Sequence, residues 1–517
     1  MPIAPTYPGV YIEEVPSGVR IITGVATSVT AFVGRAVRGP VDEPVPIHGF
    51  GDFERTFGGL WERSPMSYAV WDYFTNGGSR ALVVRLFHPP ATGNGVAVVT
   101  LPGEGGDLLL EAASPGAWGN GLAATVDRDG IDDEVAELHG LEAADLFNLT
   151  LTDPSPGGGT EQLRNLSVLD GSRRVDEVLA RGSRLARVRG SLPGSPPADG
   201  EARAEGGEDG AGLAAKDYQG SEEAKTGVFA LEKADLFNLL CIPPDERDGD
   251  TEPAVYQSAL DYCRRRRAVL LVDPPVAWGR NPIPVRAAKD GLAALNLSGP
   301  SARNAALYFP RLVAPDPLRE GQAGTSVPCG AVAGVIARTD AERGVWKAPA
   351  GTDAALAGVQ GLEVELTDAE NGELNPLGIN CLRNLAAAGR VVWGARTLRG
   401  ADRLGDEYKY LPVRRLALYL EESLYRGTRW VVFEENDEPL WTQIRLDIGS
   451  FLDTLFRRGA FQGSSPREAY FVRCDRETTT QEDVDRGVVN IVVGFAPLKP
   501  AEFVILKIQQ IAGRTAA

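Results

Sequence analysis

Apolar residues fall along this chain in two alternating rhythms. Short dense runs, TSVTAFVGRAV (27–37), RALVVRLF (80–87), AVLLVDPP (268–275) and NAALYFPRLV (304–313), have the length and near-continuous hydrophobicity of buried strands. Between them the period lengthens to that of a helix. PMSYAVWDYFTNGG (65–78) carries a proline in its first turn, repeats aromatic residues at helical spacing and ends at Gly77. PAVYQSALDYCRRRR (253–267) and a stretch near 286–295 read the same way. Strand, helix, strand in that order predicts βαβ units, and hence an α/β core on a mainly parallel sheet. From 389 onward come GRVVWGART, a helix in YLPVRRLALYLEESLYRG, a strand in RWVVFEEN, a helix in DIGSFLDTLFRRG and a strand in AYFVRCD. A short acidic segment, TTQEDVDRG (479–487), follows. In VVNIVVGFAPLKPAEFVILKIQQIAG, Pro497 and Pro500 bracket a turn between two apolar runs, which reads as a hairpin.

The rhythm breaks in two places. Pro2, Pro5, Pro8 and Pro16 surround VYIEEV, a density of proline that forbids a helix and favours an extended arm or edge strand. Between about 90 and 227 the elements are smaller. ADLFNLTLTD (144–153) is a predicted strand, and TEQLRNLSVLD through SRRVDEVLARGSRLARVRG suggests strand, helix, strand in an inserted α+β module. Its last part, 191–227, is dominated by Gly, Pro, Ala, Glu and Ser, and is expected to form a mobile surface loop. The α/β pattern resumes at KADLFNLLCIPP (233–244). ADLFNL occurs at 144–149 and again at 234–239, which reads as two similar buried strands, because the flanks do not repeat at a fixed period. The expected layout is an extended N-terminal arm (1–24), a first part of the core (25–90), the inserted domain (91–227), a second part of the core (228–487) and a C-terminal hairpin and arm (488–517).

Composition narrows the function classes. The 517 residues suit about three domains of ordinary size, and 43% hydrophobic content supplies a normal core. A formal charge of −17 disfavours binding to nucleic acid or anionic lipid and suits a basic partner. No secretory signal and no run of membrane-spanning length is evident. The five cysteines are scattered without a CxxC, which predicts reduced, mostly buried thiols in a protein made in the cytoplasm.

Candidate chemistry is sparse. His48, His88 and His139 sit in unrelated contexts, without carboxylates, thiols or serines at interpretable spacing, so a structural role is expected for each. No HExxH, GxSxG or phosphate-cradling glycine motif occurs. GAWGNGL (116–122) reads as a tight turn pinned by Trp118. DRDGIDDEVAE (127–137) has its glycine too early and Ile131 in a ligand slot for a calcium loop, so it reads as a solvated acidic loop. The run Arg264 to Arg267 closes a predicted helix, where cations complement exposed carbonyls; helix capping or a subunit contact is preferred to nucleic acid. No catalytic set, metal site or cofactor is expected.

Several stretches, in order, resemble the tail sheath family of contractile phages and related contractile injection systems. They are YPGVYIEEVPSGVRIITGVATSVTAFVGRAVRGP (7–40), KTGVFALEKADLFNLLCIPP (225–244), GAVAGVIARTDAERGVWKAPAG (330–351), LNPLGINCLRNLAAAGRVVWGARTL (374–398), and the region from YKYLPVRRLALYLEESL to FVILKIQQ. The resemblance implies a non-enzymatic structural subunit that stacks into a helical sleeve around an inner tube and contracts to drive that tube through an envelope. The implied partners are other copies of the chain, the inner tube protein, and baseplate and terminal cap proteins, with neither nucleic acid nor membrane insertion. Assembly is implied in the bacterial cytoplasm, within a virion or phage-tail-like particle that is possibly released.

The resemblance also implies where the contacts lie. Strands from both termini join a sheet on neighbouring copies, with arm residues Val15, Val19, Ile21, Ile22, Phe503, Ile505, Leu506 and Ile508 and a template strand carrying Val489, Ile491 and Val493. The alternative is that both arms fold back on their own domain. A short acidic helix with Glu482, Asp483, Asp485 and Arg486 would touch the inner tube through weak exposed ion pairs, or else is a solvated charged turn. Asn375, Asn380 and Arg383 are expected to tie a loop to the backbone, Trp346 and Trp393 to anchor packing, and Cys381 to be a small buried residue. The inserted domain would decorate the outside. Rival readings are a cytoplasmic α/β enzyme with an unrecognised site and a shell protein that assembles but never shortens.

Overall fold

A computed structural model describes residues 20–505. The chain divides into two compact units: residues 27–343 with 348–414 form one, and the described parts of 1–26, 344–347 and 415–517 form the other.

The larger unit is built on an eight-stranded sheet. Thr30–Gly34 is the third strand from one edge, parallel to Ala81–Arg85 on one side and to Leu239–Cys241 on the other. Val269–Val272, Ala305–Phe309 and Ile379–Leu385 continue the parallel order. Gly389–Val392 and Val45–Ile47 close the two edges antiparallel. The central strands are buried along their whole length, as a sheet covered on both faces requires. Pro46 sits on an edge strand, where a missing N–H is tolerated.

Helices cover the sheet. Pro65–Thr75 starts where its sequence predicts: the Ser64 side chain accepts from the Ser67 N–H, and a proline occupies the first turn. It packs on Cys329–Arg343, whose glycines allow the two backbones to touch. A Cβ at Gly330 would lie 2.0 Å from the Ala69 carbonyl oxygen, and one at Gly334 would lie 2.5 Å from that of Tyr73. The arginine run caps structure: Arg266 donates to the carbonyls of Leu231 and Ala234, both at 2.8 Å, and Arg265 pairs with Glu222.

Residues 98–203 form two antiparallel sheets. One holds Val98–Leu101, Leu108–Ala112 and Ala186–Val188; the other holds Gly200–Arg203, Ala123–Asp127, Leu146–Asp153 and Gly159–Ser167. They enclose their own apolar cluster around Val99, Leu110, Phe147, Leu149, Leu151 and Leu179. Trp118 is buried within a short 3-10 turn, as expected, and donates to the Ser114 carbonyl.

Four expectations need correction. The 191–227 segment is not a loop throughout: Gly200–Arg203 is an edge strand, Ala215–Gln219 is helical and Tyr218 is buried in the main core. Sparse apolar anchors, Ala204 and Tyr218 among them, suffice because neighbouring strands supply the backbone partners. The second ADLFNL is mostly turn, and its strand starts only at Leu239. NAALYFPRLV splits at Pro310, which has no N–H to donate, so Leu312–Asp316 joins a separate antiparallel sheet with Gln322–Ser326. RWVVFEEN is no strand but a single 3-10 turn, Arg429–Val431, after which Phe433 adopts φ 73° and is fully exposed.

The GINCLRN expectations divide. Asn380 donates to the carbonyls of Leu307 and Arg396 and accepts the Arg396 N–H at 2.7 Å. Asn375 contributes its carbonyl to the Arg396 guanidinium, and Arg383 pairs with Asp368 instead of the backbone. Cys381 is buried, and desolvation pushes its thiol up to about 12. All five cysteines are free and buried. Trp393 is 37% exposed and anchors no core. Trp346 packs in the smaller unit under the Arg458 guanidinium, 5.4 Å from its ring.

Candidate assembly site

The smaller unit is organised by Glu438–Arg457, a helix longer than its sequence pattern suggested. Asp437 caps it by accepting the Leu440 N–H, and the proline that follows fits the first turn. Leu440, Trp441, Ile444, Ile448, Phe451, Leu452 and Leu455 recur at helical spacing on its buried face. Asp447 interrupts that stripe and is also buried. Its Oδ1 accepts the backbone N–H of Arg20 at 2.9 Å and the Gln443 amide at 2.6 Å.

This bond pins the root of the N-terminal segment. The Arg20 guanidinium lies 4.2 Å from the Trp430 ring, and the Val25 N–H donates to Ser423 Oγ. Ile22 packs into the apolar cluster, against Gly427, where a Cβ would come within 2.6 Å of its Cγ2. Of the expected arm residues, Ile21 is 88% exposed, whereas Ile22 belongs to its own unit's core. Val15, Val19, Leu506 and Ile508 lie outside the described residues.

A two-stranded antiparallel sheet completes the unit. Tyr470–Arg473 pairs with Val492–Phe495, Tyr470 opposite Phe495 and Val472 opposite Val493. These four residues face the cluster, with Phe461 6.1 Å from both Tyr470 and Phe495. Phe471 and Val492 stay half-exposed, and the Phe471 ring covers Gly494, where a Cβ would strike it at 2.1 Å. Among the described residues no third strand joins this sheet, so each strand keeps one ladder edge unpaired. Val493 lies in the strand; Val489 and Ile491 precede it and pack half-buried on the cluster.

Of the expected hairpin partner, residues 501–505 form no strand and the rest lies outside the described residues; the strand at 492–495 pairs with 470–473. Phe503, Val504 and Ile505 are 73%, 79% and 80% exposed. Three consecutive large apolar residues in water lack the burial that would justify them.

The acidic segment is the helix Gln481–Asp485, held by a capping box. Thr480 Oγ1 accepts the Asp483 N–H, and Asp483 Oδ2 accepts from the Thr480 N–H and hydroxyl. These bonds hold the Asp483 carboxyl below the usual carboxylate range. Asp485 accepts from Gln481, while the side chains of Glu482 and Arg486 have no partner among the described residues. Val484 packs inward on the cluster.

The histidines are separate. His48 is exposed, and His88 Nδ1 lies 2.8 Å from Asp217. Among the described residues, no grouping of histidine, cysteine and carboxylate side chains suits a metal ion, and no helix is long and apolar enough to cross a membrane. Sequence reasoning missed the Asp447 anchor and the 470–473 strand as the local sheet partner. The first had a signal, an aspartate set in the buried stripe of an apolar helix.

The smaller unit thus combines a two-stranded sheet, an anchored N-terminal root and an exposed apolar tail, and the class of the protein follows from comparison with known proteins. Residues 220–398 match the phage tail sheath protein central domain, and residues 405–511 match the phage tail sheath C-terminal domain. The tail sheath protein of Vibrio phage KVP40 is 27% identical over 178 residues, covering 34% of this chain and 25% of that protein. The match thus spans about a quarter of that relative's length. The fold is similar to a contracted PVC sheath complex of an extracellular contractile injection system (TM-score 0.58, 22% identity, 98% of both chains). It is also similar to a sheath tail protein from Listeria innocua (TM-score 0.63, 15% identity, 92% and 96% of the two chains). The chain belongs to the phage tail sheath family.

Proposed function

We propose that the chain is a sheath subunit that polymerises into a helical sleeve around an inner tube, shortens on triggering and drives the tube through a target envelope. It works as a structural element and catalyses no reaction. The observation that carries this reading is the two-stranded sheet with open edges in the same unit as the exposed Phe503, Val504 and Ile505. An extended segment of another copy that lies along such an edge gains a ladder of main-chain hydrogen bonds, and alternate side chains lie against the half-exposed Phe471 and Val492. Segments before the Arg20 anchor, near 15–19, and near 501–511 are the donors, and the strand around 488–498 is the template.

The layout follows from that role. The segment before the Arg20 anchor and residues 501–517 act as exchanging arms, 27–343 with 348–414 as the core, and the two antiparallel sheets within 98–203 as an outward decoration. Glu482, Asp485 and Arg486 touch the inner tube through exposed pairs, each contributing roughly 0–1 kcal/mol, so that many weak contacts hold the sleeve and still release it. Baseplate and terminal cap proteins contact the ends of the sleeve. The particle is a phage tail or a phage-tail-like injection system.

The test is negative-stain microscopy of the protein expressed with its tube. Striated sleeves are expected from the full chain and none from a chain lacking 501–517. Monodisperse monomers from the full chain, or sleeves from the truncated one, overturn the reading.

A further inference from the structure

In the larger unit a cavity of about 240 Å³ opens beside the helix Pro65–Thr75, lined by Tyr68, Trp71, Asp72, Arg247, Asp316 and Ser326 among others. One side holds a complete arrangement of ring, cation and carboxylate. The Arg247 guanidinium lies 4.4 Å from the Tyr68 ring and pairs with Asp316 at 2.7 Å, and the Tyr68 hydroxyl donates to the same carboxylate at 2.9 Å. The other side offers a second ring and a second carboxylate, Trp71 and Asp72. Asp72 is 9% exposed, and its carboxylate has no hydrogen-bond or ion-pair partner among the described residues. Ser326 Oγ is likewise buried without a partner. A carboxylate removed from water without a partner is costly, whereas the same group against a cation and an aromatic face is stabilised.

We propose that this cavity is a receptor for a basic side chain, an alkylguanidinium or alkylammonium, presented by a second copy of this chain. The cation seats on Asp72 and lies against Trp71, repeating the arrangement that Arg247 makes with Tyr68 and Asp316. The chemistry of the pocket stands on its own geometry; the second copy as its source rests on the sheath reading. Two observations favour that source. The lining includes Trp71 at 40% exposure, a residue type enriched at protein–protein anchors. The chain also carries exposed arginines, Arg264 and Arg403 among them, whose side chains have no partner among the described residues. Burial alone holds the Asp72 carboxyl at about 7, so an arriving cation takes up a charge that the isolated chain carries at a cost.

The experiment uses the full chain. Binding of n-butylguanidinium and of its uncharged isostere n-butylurea is measured by calorimetry at pH 8. The guanidinium is expected to bind and the urea is not, with Asp72→Asn weakening the cation about tenfold or more and Trp71→Ala weakening it as well. Equal binding to wild type and Asp72→Asn, or equal binding of both probes, overturns the site. Expression of folded Asp72→Asn with the tube, folding being checked by circular dichroism, is expected to yield fewer or shorter sleeves. Cation binding together with unchanged sleeves overturns the second copy as the source. Failure of the wild type to form sleeves overturns the sheath reading and, with it, that source, while the cation measurement on the isolated protein stands.

Discussion

At the scale of single residues, the chain keeps two buried aspartates in its helices for different purposes. Asp447 satisfies donors, the Arg20 N–H and the Gln443 amide. Asp447→Ala leaves them unpaired, and a loss of about 1–3 kcal/mol is expected in chemical denaturation, together with faster hydrogen exchange at Arg20. Asp72 does the opposite, because burial raises its folded pKa to about 7, well above the usual carboxylate range. Its contribution to stability is therefore fully present below about pH 4 and lost as pH rises through about 7, an effect on the order of 4 kcal/mol. The groups across the cavity hold their charge over that window: Asp316 is held low by Arg247 and Tyr68 against burial, and burial pushes Tyr68 up to about 12. Asp72→Asn is expected to flatten the decline in melting temperature between pH 5 and 8. A slope equal to wild type contradicts the assignment.

At the scale of elements, the joint between Pro65–Thr75 and Cys329–Arg343 depends on two glycines. Gly330→Val places atoms where the Ala69 carbonyl already stands, and a loss of about 3 kcal/mol or more is expected in urea titration. Elements were legible where local signals agreed. Ser64 and Pro65 announced a helix start, and the dense runs of the core announced parallel strands. They were illegible where the partner decides. RWVVFEEN has the composition of a strand, but in the described structure no neighbour pairs with it. The 191–227 segment has the composition of a loop, yet the strand Ala123–Asp127 recruits part of it. The run to 313 looked continuous because an apolar pattern does not register the N–H that Pro310 lacks. The candidate site was half-legible. The apolar tail and the acidity of 479–487 could be read directly, its helix only through the family resemblance, whereas the pairing of 470–473 with 492–495 and the anchor of Arg20 on Asp447 join residues far apart in the chain.

At the scale of the whole molecule, the exposed Phe503, Val504 and Ile505 offer a test that distinguishes folding from the proposed assembly. A double substitution, Phe503→Glu with Ile505→Glu, removes no buried contact within the described chain. It is expected to change monomer stability by less than about 0.5 kcal/mol and to abolish sleeves seen by electron microscopy. A large fall in melting temperature instead indicates that these residues pack on their own unit.

The glycine joint has a mechanical corollary. At Gly330 and Gly334 the two helices meet with no side chain between them to act as a cushion, so the carbonyls of Ala69 and Tyr73 stand directly against the facing backbone. Such a seam is a weld, not a bearing. Under the sheath function proposed above, this joint is expected to keep its packing while the sleeve changes length.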